Sequence, residues 1–427
     1  MADLARSIGP WRGAGMMLSI VLGAGLITLP GLAAQAVGQA APLVWLVCAV
    51  VALPLLAVFA IVGRLHPDAG GVPSVMHRAF GDGAFVAATF LFLGAVAVGL
   101  PSIAITGGHY AAAAFGGPVH LYAAGLLVAA MAANLLSAEL SGRLNGAVAS
   151  VVVVVLVGVA ALGWQAVSPD WRVLQVAPAE MPDIALLGAA FMMVFFAFTG
   201  WEVASNLGGE VRDPERNIPR AMALSFAVAV ALYLVLALVV AAAGPMAAVE
   251  APFAAILGAA HGAAGRAAMS VVALILVFAN LSAAIWAVSR MVYAAGRERL
   301  LPGAVARVSR GRPLVAVLLT TGCLLAVTGL AAAGLLDLAA LLALAGQNFL
   351  LLYAGAAAAL FVLSEAPSHR GLALSALLLV AALMVARGAE GLVYPGLLIG
   401  AGLAVSACRR RLVRAEDEPA HADTAPV

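Results

Sequence analysis

Val21-Leu22-Gly23-Ala24-Gly25-Leu26-Ile27 interrupts an apolar run, 13–37, that is otherwise long enough to cross a bilayer as one helix. A second interruption, Ala197-Phe198-Thr199-Gly200-Trp201-Glu202, falls inside the apolar run 184–208, and there a carboxylate joins the glycine. Backbone opened at membrane depth exposes N–H and C=O groups that lipid cannot satisfy, so it is tolerated only where it lines a cavity or is buried in protein. Small residues also let membrane helices approach closely, which is the alternative reading of Gly23-Ala24-Gly25 on its own. Paired with the second break, the glycines mark a site wall.

The rest of the chain agrees with a membrane setting. Of 427 residues, 64% are hydrophobic and 10% charged, whereas ordinary soluble domains carry roughly 25% charged residues. A soluble enzyme of this length could bury a large core, but it would still need a polar surface that this composition does not supply. Disorder requires low hydrophobicity and high net charge, and here the formal net charge is only +2. All 22 basic side chains are arginines, scattered rather than gathered with aromatics, so nothing marks a nucleic-acid surface. Cys48, Cys323 and Cys408 lie singly in or at the ends of apolar runs, which suits neither a disulfide framework nor a zinc site. No metal and no cofactor is expected. A Rossmann phosphate loop is excluded at Gly23-Ala24-Gly25, because Thr28 stands where its third glycine belongs and no strand precedes it.

Counting runs of roughly 20 apolar residues predicts twelve spans: 13–37, 41–63, 84–115, 119–137, 144–166, 184–208, 220–243, 266–294, 313–333, 336–363, 371–387 and 392–408. Arginine is enriched in short cytoplasmic loops. With the N-terminus inside, only Arg172, Arg266 and Arg387 of the 22 arginines fall outside, so both termini are expected in the cytoplasm. The first run reads as a span and not a cleaved leader, since removing it would put the ends on opposite sides. Residues 1–12 then form a cytoplasmic N-terminus, 13–166 a first five-helix repeat, 184–364 a second, 371–408 two further helices, and 409–427 a disordered cytoplasmic tail. Each break lies in the first span of its block of five, and an odd offset reverses insertion. The fold expected is therefore an all-α polytopic membrane protein with twelve transmembrane helices around a 5+5 inverted-repeat core, and breaks at matching places point to a transporter's binding site.

The chain resembles the amino acid–polyamine–organocation (APC) transporters over nearly all its length. The resemblance is carried by Gly23-Ala24-Gly25, by Phe198-Thr199-Gly200-Trp201-Glu202 with Asp213-Pro214-Glu215-Arg216-Asn217-Ile218-Pro219-Arg220-Ala221, and by Ser289-Arg290 through Tyr293-Ala294 to Leu301-Pro302. Within the family, Gly63-Arg64, Pro67, Ala69-Gly70-Gly71-Val72, Ala79-Phe80-Gly81 and Val98-Gly99-Leu100-Pro101 look most like the bacterial exporters of methionine and branched-chain amino acids. The resemblance implies a leucine-transporter-type fold in the bacterial inner membrane, a neutral amino acid as substrate, the lipid bilayer as surroundings, and an ion, with the proton favoured, as coupling partner.

It also implies the site. The N–H groups of Gly23, Ala24 and Gly25 would face the substrate carboxylate, helped by the helix dipole, and the carbonyls of Val21, Ala197 and Thr199 would hold its ammonium. Gly99, Leu100, Phe196, Phe198 and Trp286 would surround the side chain, next to Gly200 in the second break. All are apolar or aromatic, which fits a hydrophobic substrate better than a charged one needing a buried partner. Phe196 occupies the gating-aromatic position of the family, or is simply packed in the core. Glu202 is either the proton-coupling group, since an intramembrane carboxylate is costly and burial favours its neutral form, or a structural acid bonded to the opened backbone. Relatives with a lysine on the fifth span differ from this chain, which has none. Uptake, exchange and export, and a sensor or channel that binds without carrying, all remain compatible with the residues. An enzyme is not expected, for want of a nucleophile elbow or a convergent acid pair at membrane depth.

Overall fold

The computed structural model describes residues 9–65, 71–136, 154–167, 181–201, 213–309 and 312–422. Among them the chain is all-helical, apart from an isolated bridge between Ser309 and Arg312. The α-helices are α1 (Pro10–Val21), α2 (Leu29–Val37), α3 (Ala41–Leu65), α4 (Gly71–Phe80), α5 (Asp82–Phe115), α6 (Val119–Leu136), α7 (Val154–Val167), α8 (Ile184–Phe195), α9 (Pro214–Ala243), α10 (Pro252–Arg297), α11 (Leu314–Ala332), α12 (Leu338–Leu363), α13 (Pro367–Arg387) and α14 (Val393–Ala422). Seven helical stretches of the described residues are long and apolar enough to cross a membrane: Leu29–Leu65, Asp82–Phe115, Glu215–Ala247, Pro252–Arg297, Leu314–Ala332, Leu338–Leu363 and Pro367–Arg387. Val119–Leu135, Val154–Val167 and Ile184–Phe198 are apolar but shorter.

The helices carry apolar side chains on both faces, as a lipid-facing bundle must. On α3, Val44, Trp45, Cys48, Ala52 and Leu55 point inward and are buried, while Leu43, Leu46, Val47, Val50 and Leu53 point outward with 37% to 58% of their surface exposed. In water such an outer stripe would be an aggregation hazard; in hydrocarbon it is the solvent-facing side.

Helix α5 is the hub, packing against α4, α6, α10, α12 and α14. Its small residues allow this: a Cβ added at Gly94 would strike Leu398 of α14, and one at Gly108 would strike the backbone of Val119. Close approach of small residues is how helices associate where no hydrophobic force separates protein from lipid. Helix α1 packs on α9, and α8 lies between α2, α3 and α12. Within α10, Gly262 has a φ of 66°, so this element is two helices joined at a kink, the first ending before the expected span 266–294 begins.

Helix α14 continues to Ala422, so residues 409–422 are helical where the polar sequence reads as the start of a disordered tail. Arg, Ala, Leu and Glu are strong helix formers, and adding residues to a helix already nucleated by an apolar span is far less costly than starting one.

Candidate functional site

The first break begins where α1 stops at Val21. Leu22 leaves helical geometry (φ −76°, ψ 64°), and the Gly23 N–H turns back to donate to the Val21 carbonyl at 2.8 Å. A single 3-10 turn, Ala24–Ile27, follows before α2 resumes the path. In that turn Leu26 N–H donates to Gly23 C=O at 3.1 Å. As at any helix start, the N–H groups of Ala24 and Gly25 therefore have no acceptor in their own turn. Gly23 N–H, expected to be open, is the one of the three already engaged.

Beyond this turn the chain is anchored. Tyr110 of α5 donates to the Ile27 carbonyl at 2.7 Å, and the Thr28 hydroxyl donates to the Glu250 carbonyl. These contacts fix the start of α2 against α5 and against the segment that leads into α10.

The second break ends α8 at Phe195 with a 3-10 turn, Phe196–Phe198. Thr199 is extended (φ −97°, ψ 166°) and its hydroxyl folds back to donate to the Phe196 carbonyl at 2.8 Å. Gly200 has a φ of 105°, a conformation that L side chains rarely adopt and glycine adopts freely. Its N–H donates to the Tyr353 hydroxyl of α12 at 3.0 Å. Glu202, the expected coupling group, lies outside the described residues.

The two breaks are in contact with each other. The ring of Phe196 is wedged between them and α5: a Cβ on Gly25 would lie 3.6 Å from its Cδ1 and Cε1, and one on Gly99 would lie 3.1 Å from its Cε2 and 3.4 Å from Ala345 of α12. Gly25 and Gly99 thus leave the volume that this ring fills. Unlike the other aromatics of the second break, Phe196 keeps part of its surface open, whereas Phe198 is buried against Trp45 and Tyr233 with ring centroids 6.1 Å and 5.1 Å away.

Of the expected wall, Val21, Gly23, Ala24, Gly25, Gly99, Phe196, Ala197, Phe198, Thr199 and Gly200 are brought together by these segments. Leu100 is buried in the core beside Gly99. Trp286 is not part of the cluster: it is exposed on α10, and the guanidinium of Arg290 stacks on its ring 3.9 Å from the centroid. Residues that sequence reasoning missed complete the surroundings. Tyr233 of α9 reaches both breaks, its hydroxyl lying 2.8 Å from the Ala197 carbonyl and 3.3 Å from that of Val21. Asn280 of α10 sits beside Gly23, where an added Cβ would be 3.4 Å from its Nδ2. Tyr353 and Phe349 of α12 extend the aromatic lining. The available signal for Tyr233 was a single hydroxyl-bearing ring in a long apolar helix.

No ionised side chain is among these residues; polar recognition is left to backbone groups, hydroxyls and one carboxamide. Among the described residues no three His, Cys, Asp or Glu side chains are grouped to hold a metal ion.

An all-helical bundle with several bilayer-length helices, and two interrupted helices in contact with each other, defines a polytopic membrane protein. The amino acid permease family model matches residues 8–390, and the chain belongs to that family. It is thus a transporter and not an enzyme. It is 29% identical to an uncharacterized amino acid permease of Bacillus subtilis, YecA, over 94% of this chain and 96% of that protein. It is 30% identical to the L-methionine/branched-chain amino acid exporter YjeH of Escherichia coli over 52% of this chain and 53% of that protein. The putrescine transporter PotE of Escherichia coli is also 30% identical, over 47% of each chain.

Proposed function

We propose that this permease carries neutral hydrophobic amino acids across the bacterial inner membrane by alternating access, as a secondary active transporter working in export. Twelve spans in a 5+5 inverted repeat, with both termini in the cytoplasm, complete the reading. The observation that carries it is the meeting of the two breaks around Phe196. It supports the reading that the N–H groups of Ala24 and Gly25, at the start of one helical turn, take the carboxylate, while carbonyls of the other break accept from the ammonium. Every α-amino acid presents both groups, so the backbone recognises the class and the surroundings choose the side chain. Those surroundings are Gly25, Gly99, Ala345, Phe196 and Phe349, which desolvate an aliphatic chain at no polar cost.

Export follows the similarity to YjeH and the matching loop motifs. A polyamine substrate, the reading that PotE would favour, fits less well, because two buried ammonium groups would need carboxylates and the described wall has none. The test is competition against labelled leucine in proteoliposomes by the twenty amino acids and putrescine, with and without sodium and at two pH gradients. Methionine, isoleucine and valine should compete, while arginine, glutamate and putrescine should not. Competition by the charged compounds alone would overturn the pocket assignment.

Coupling is assigned to the proton through Glu202. Glu202→Gln keeps the shape and removes the titration, so transport by the variant should lose most of its dependence on the pH gradient while still exchanging substrate at equal pH. An unchanged pH dependence in a folded variant would make Glu202 a structural acid.

A further inference from the structure

We propose a second ligand site in this permease, apart from the two breaks: a cavity at the far end of α5 that takes a small zwitterion, one carrying an ammonium and an acid anion a few bonds apart. The cavity measures about 550 Å³, inside the range of roughly 300–1,000 Å³ common for small-molecule pockets. It lies between the last two turns of α5 and the chain running from Met246 to Arg266, and no residue of either break lines it. Glycines give it its shape. Gly262, with a φ of 66°, turns the chain within α10 and brings the second arm of that element against the first. A Cβ on Gly265 would strike the Leu257 carbonyl oxygen, so the two arms meet closely. One on Gly258 would lie 3.0 Å from Arg266 Nε, so the Arg266 side chain is laid across the first arm.

A carboxylate, a guanidinium and an imidazole line this cavity over a floor of alanines. Glu250 and Arg266 share it but form no ion pair with each other. An acid and a base that share one cavity without neutralising each other leave one charge of each sign to be met, and a zwitterion meets both. A ligand with a single charge would be drawn to one and repelled by the other. His109, half-buried and a near neighbour of Glu250 and His120, adds ring nitrogens that can serve either end of the ligand. A metal ion does not fit, since among the described residues no three His, Cys, Asp or Glu side chains are grouped to hold one. Ala112, Ala113, Ala254 and Ala255 leave room for an apolar appendage. Two sources carry this chemistry: a free α-amino acid, and the phosphoethanolamine headgroup of a membrane lipid.

The walls of the cavity are tied to the residues that close the first break, since Thr28 donates to the Glu250 carbonyl and Tyr110, next to His109, donates to that of Ile27. The readout must therefore be local. Ala259→Cys puts a thiol on the cavity wall at an exposed position, in the full-length chain with Cys323→Ser and Cys408→Ser removing the exposed native thiols. Its reaction with a water-soluble thiol reagent should slow when leucine is added. The protecting concentration should rise about three- to ten-fold in Glu250→Gln and in Arg266→Gln, a loss between that of an exposed ion pair and that of a charge-assisted hydrogen bond. 4-Methylpentanoate, which lacks the ammonium, and leucinamide, which lacks the carboxylate, should protect more weakly than leucine. Phosphoethanolamine is run beside leucine: stronger protection by leucine makes the free amino acid the occupant, stronger protection by phosphoethanolamine makes it the lipid headgroup, and either supports the site. Equal protection by the singly charged ligands, or no protection by any ligand, overturns it. Protection should remain in Gly25→Leu; if it vanishes there, the signal came from the breaks and the cavity holds no ligand of its own. Failure of the transport reading looks different, because competition for leucine uptake would then go wrong while this protection persisted.

Discussion

Gly346→Ala is expected to be among the costliest single methyl additions to this bundle's core. Gly346 lies on α12 where that helix crosses α8, and a Cβ there would strike the carbonyl oxygen of Met192 and come within 3.1 Å of the Phe196 backbone nitrogen. Both are main-chain atoms. A side chain in the way can rotate, but a helix backbone cannot, so α12 must lift off α8 along its length. Overpacking of this sort costs about 1–3 kcal/mol even when the neighbours are flexible side chains, and roughly 3 kcal/mol or more is expected here, on the same scale. The loss would also reach the breaks, because Phe349 of α12 packs against the Phe196 ring. Gly322 is the control. It is exposed on α11 with nothing within 4 Å of its would-be Cβ, so Gly322→Ala should leave melting unchanged or raise it slightly. Melting curves of the two variants in detergent decide the matter, and coincident curves would mean that α8 and α12 do not cross this closely.

What the sequence made legible follows from where its chemistry was unusual. Gly23-Ala24-Gly25 and Thr199-Gly200 fall in the middle of long apolar runs, so the breaks could be located, and the structure opens the helix at both. The placement of Trp286 failed for a physical reason. In a chain this apolar, hydrophobic periodicity cannot separate a lipid-facing stripe from a core-facing one, since both are greasy. Helix α10 buries Leu281, Ile285, Ser289 and Val292, and that register turns Trp286 outward. Tyr233 was hidden for another reason. Its partners Val21 and Ala197 lie 212 and 36 residues away, and only the folded path of α9 along α1 brings the hydroxyl to them. Membrane composition alone also could not tell that α14 runs on to Ala422, because the polar end of a helix has the same residues as a solvated tail.

Gly25→Leu is expected to abolish substrate binding while Gly25→Ala does not, and the difference isolates the Phe196 ring. The methyl of alanine at this position would meet Phe196 Cδ1 and Cε1 at 3.6 Å and Leu29 Cδ1 at 3.7 Å, ordinary contact distances. The alanine variant should fold like the wild type and transport within about three-fold of it, a loss under 1 kcal/mol. A leucine side chain extends two bonds further and must occupy the space of the ring. Phe196 is part-open, so it can yield, but not toward α5, where the ring already lies 3.1 Å from a Cβ built on Gly99; the direction left to it is toward the proposed substrate position. Leucine would thus expel the substrate with the protein's own ring and shield the N–H of Gly25 from a carboxylate. Affinity should fall more than about a hundred-fold, equivalent to roughly 2.7 kcal/mol, with little change in melting. Adding Phe196→Ala to Gly25→Leu removes the displaced ring and should restore part of the affinity, because adjacent groups competing for one volume are coupled, not additive. If the leucine variant bound substrate as the wild type does, Gly25 would face no ligand and the chamber between the two breaks would have to be assigned another purpose; if the double variant recovered nothing, the loss would belong to the backbone N–H and not to the ring.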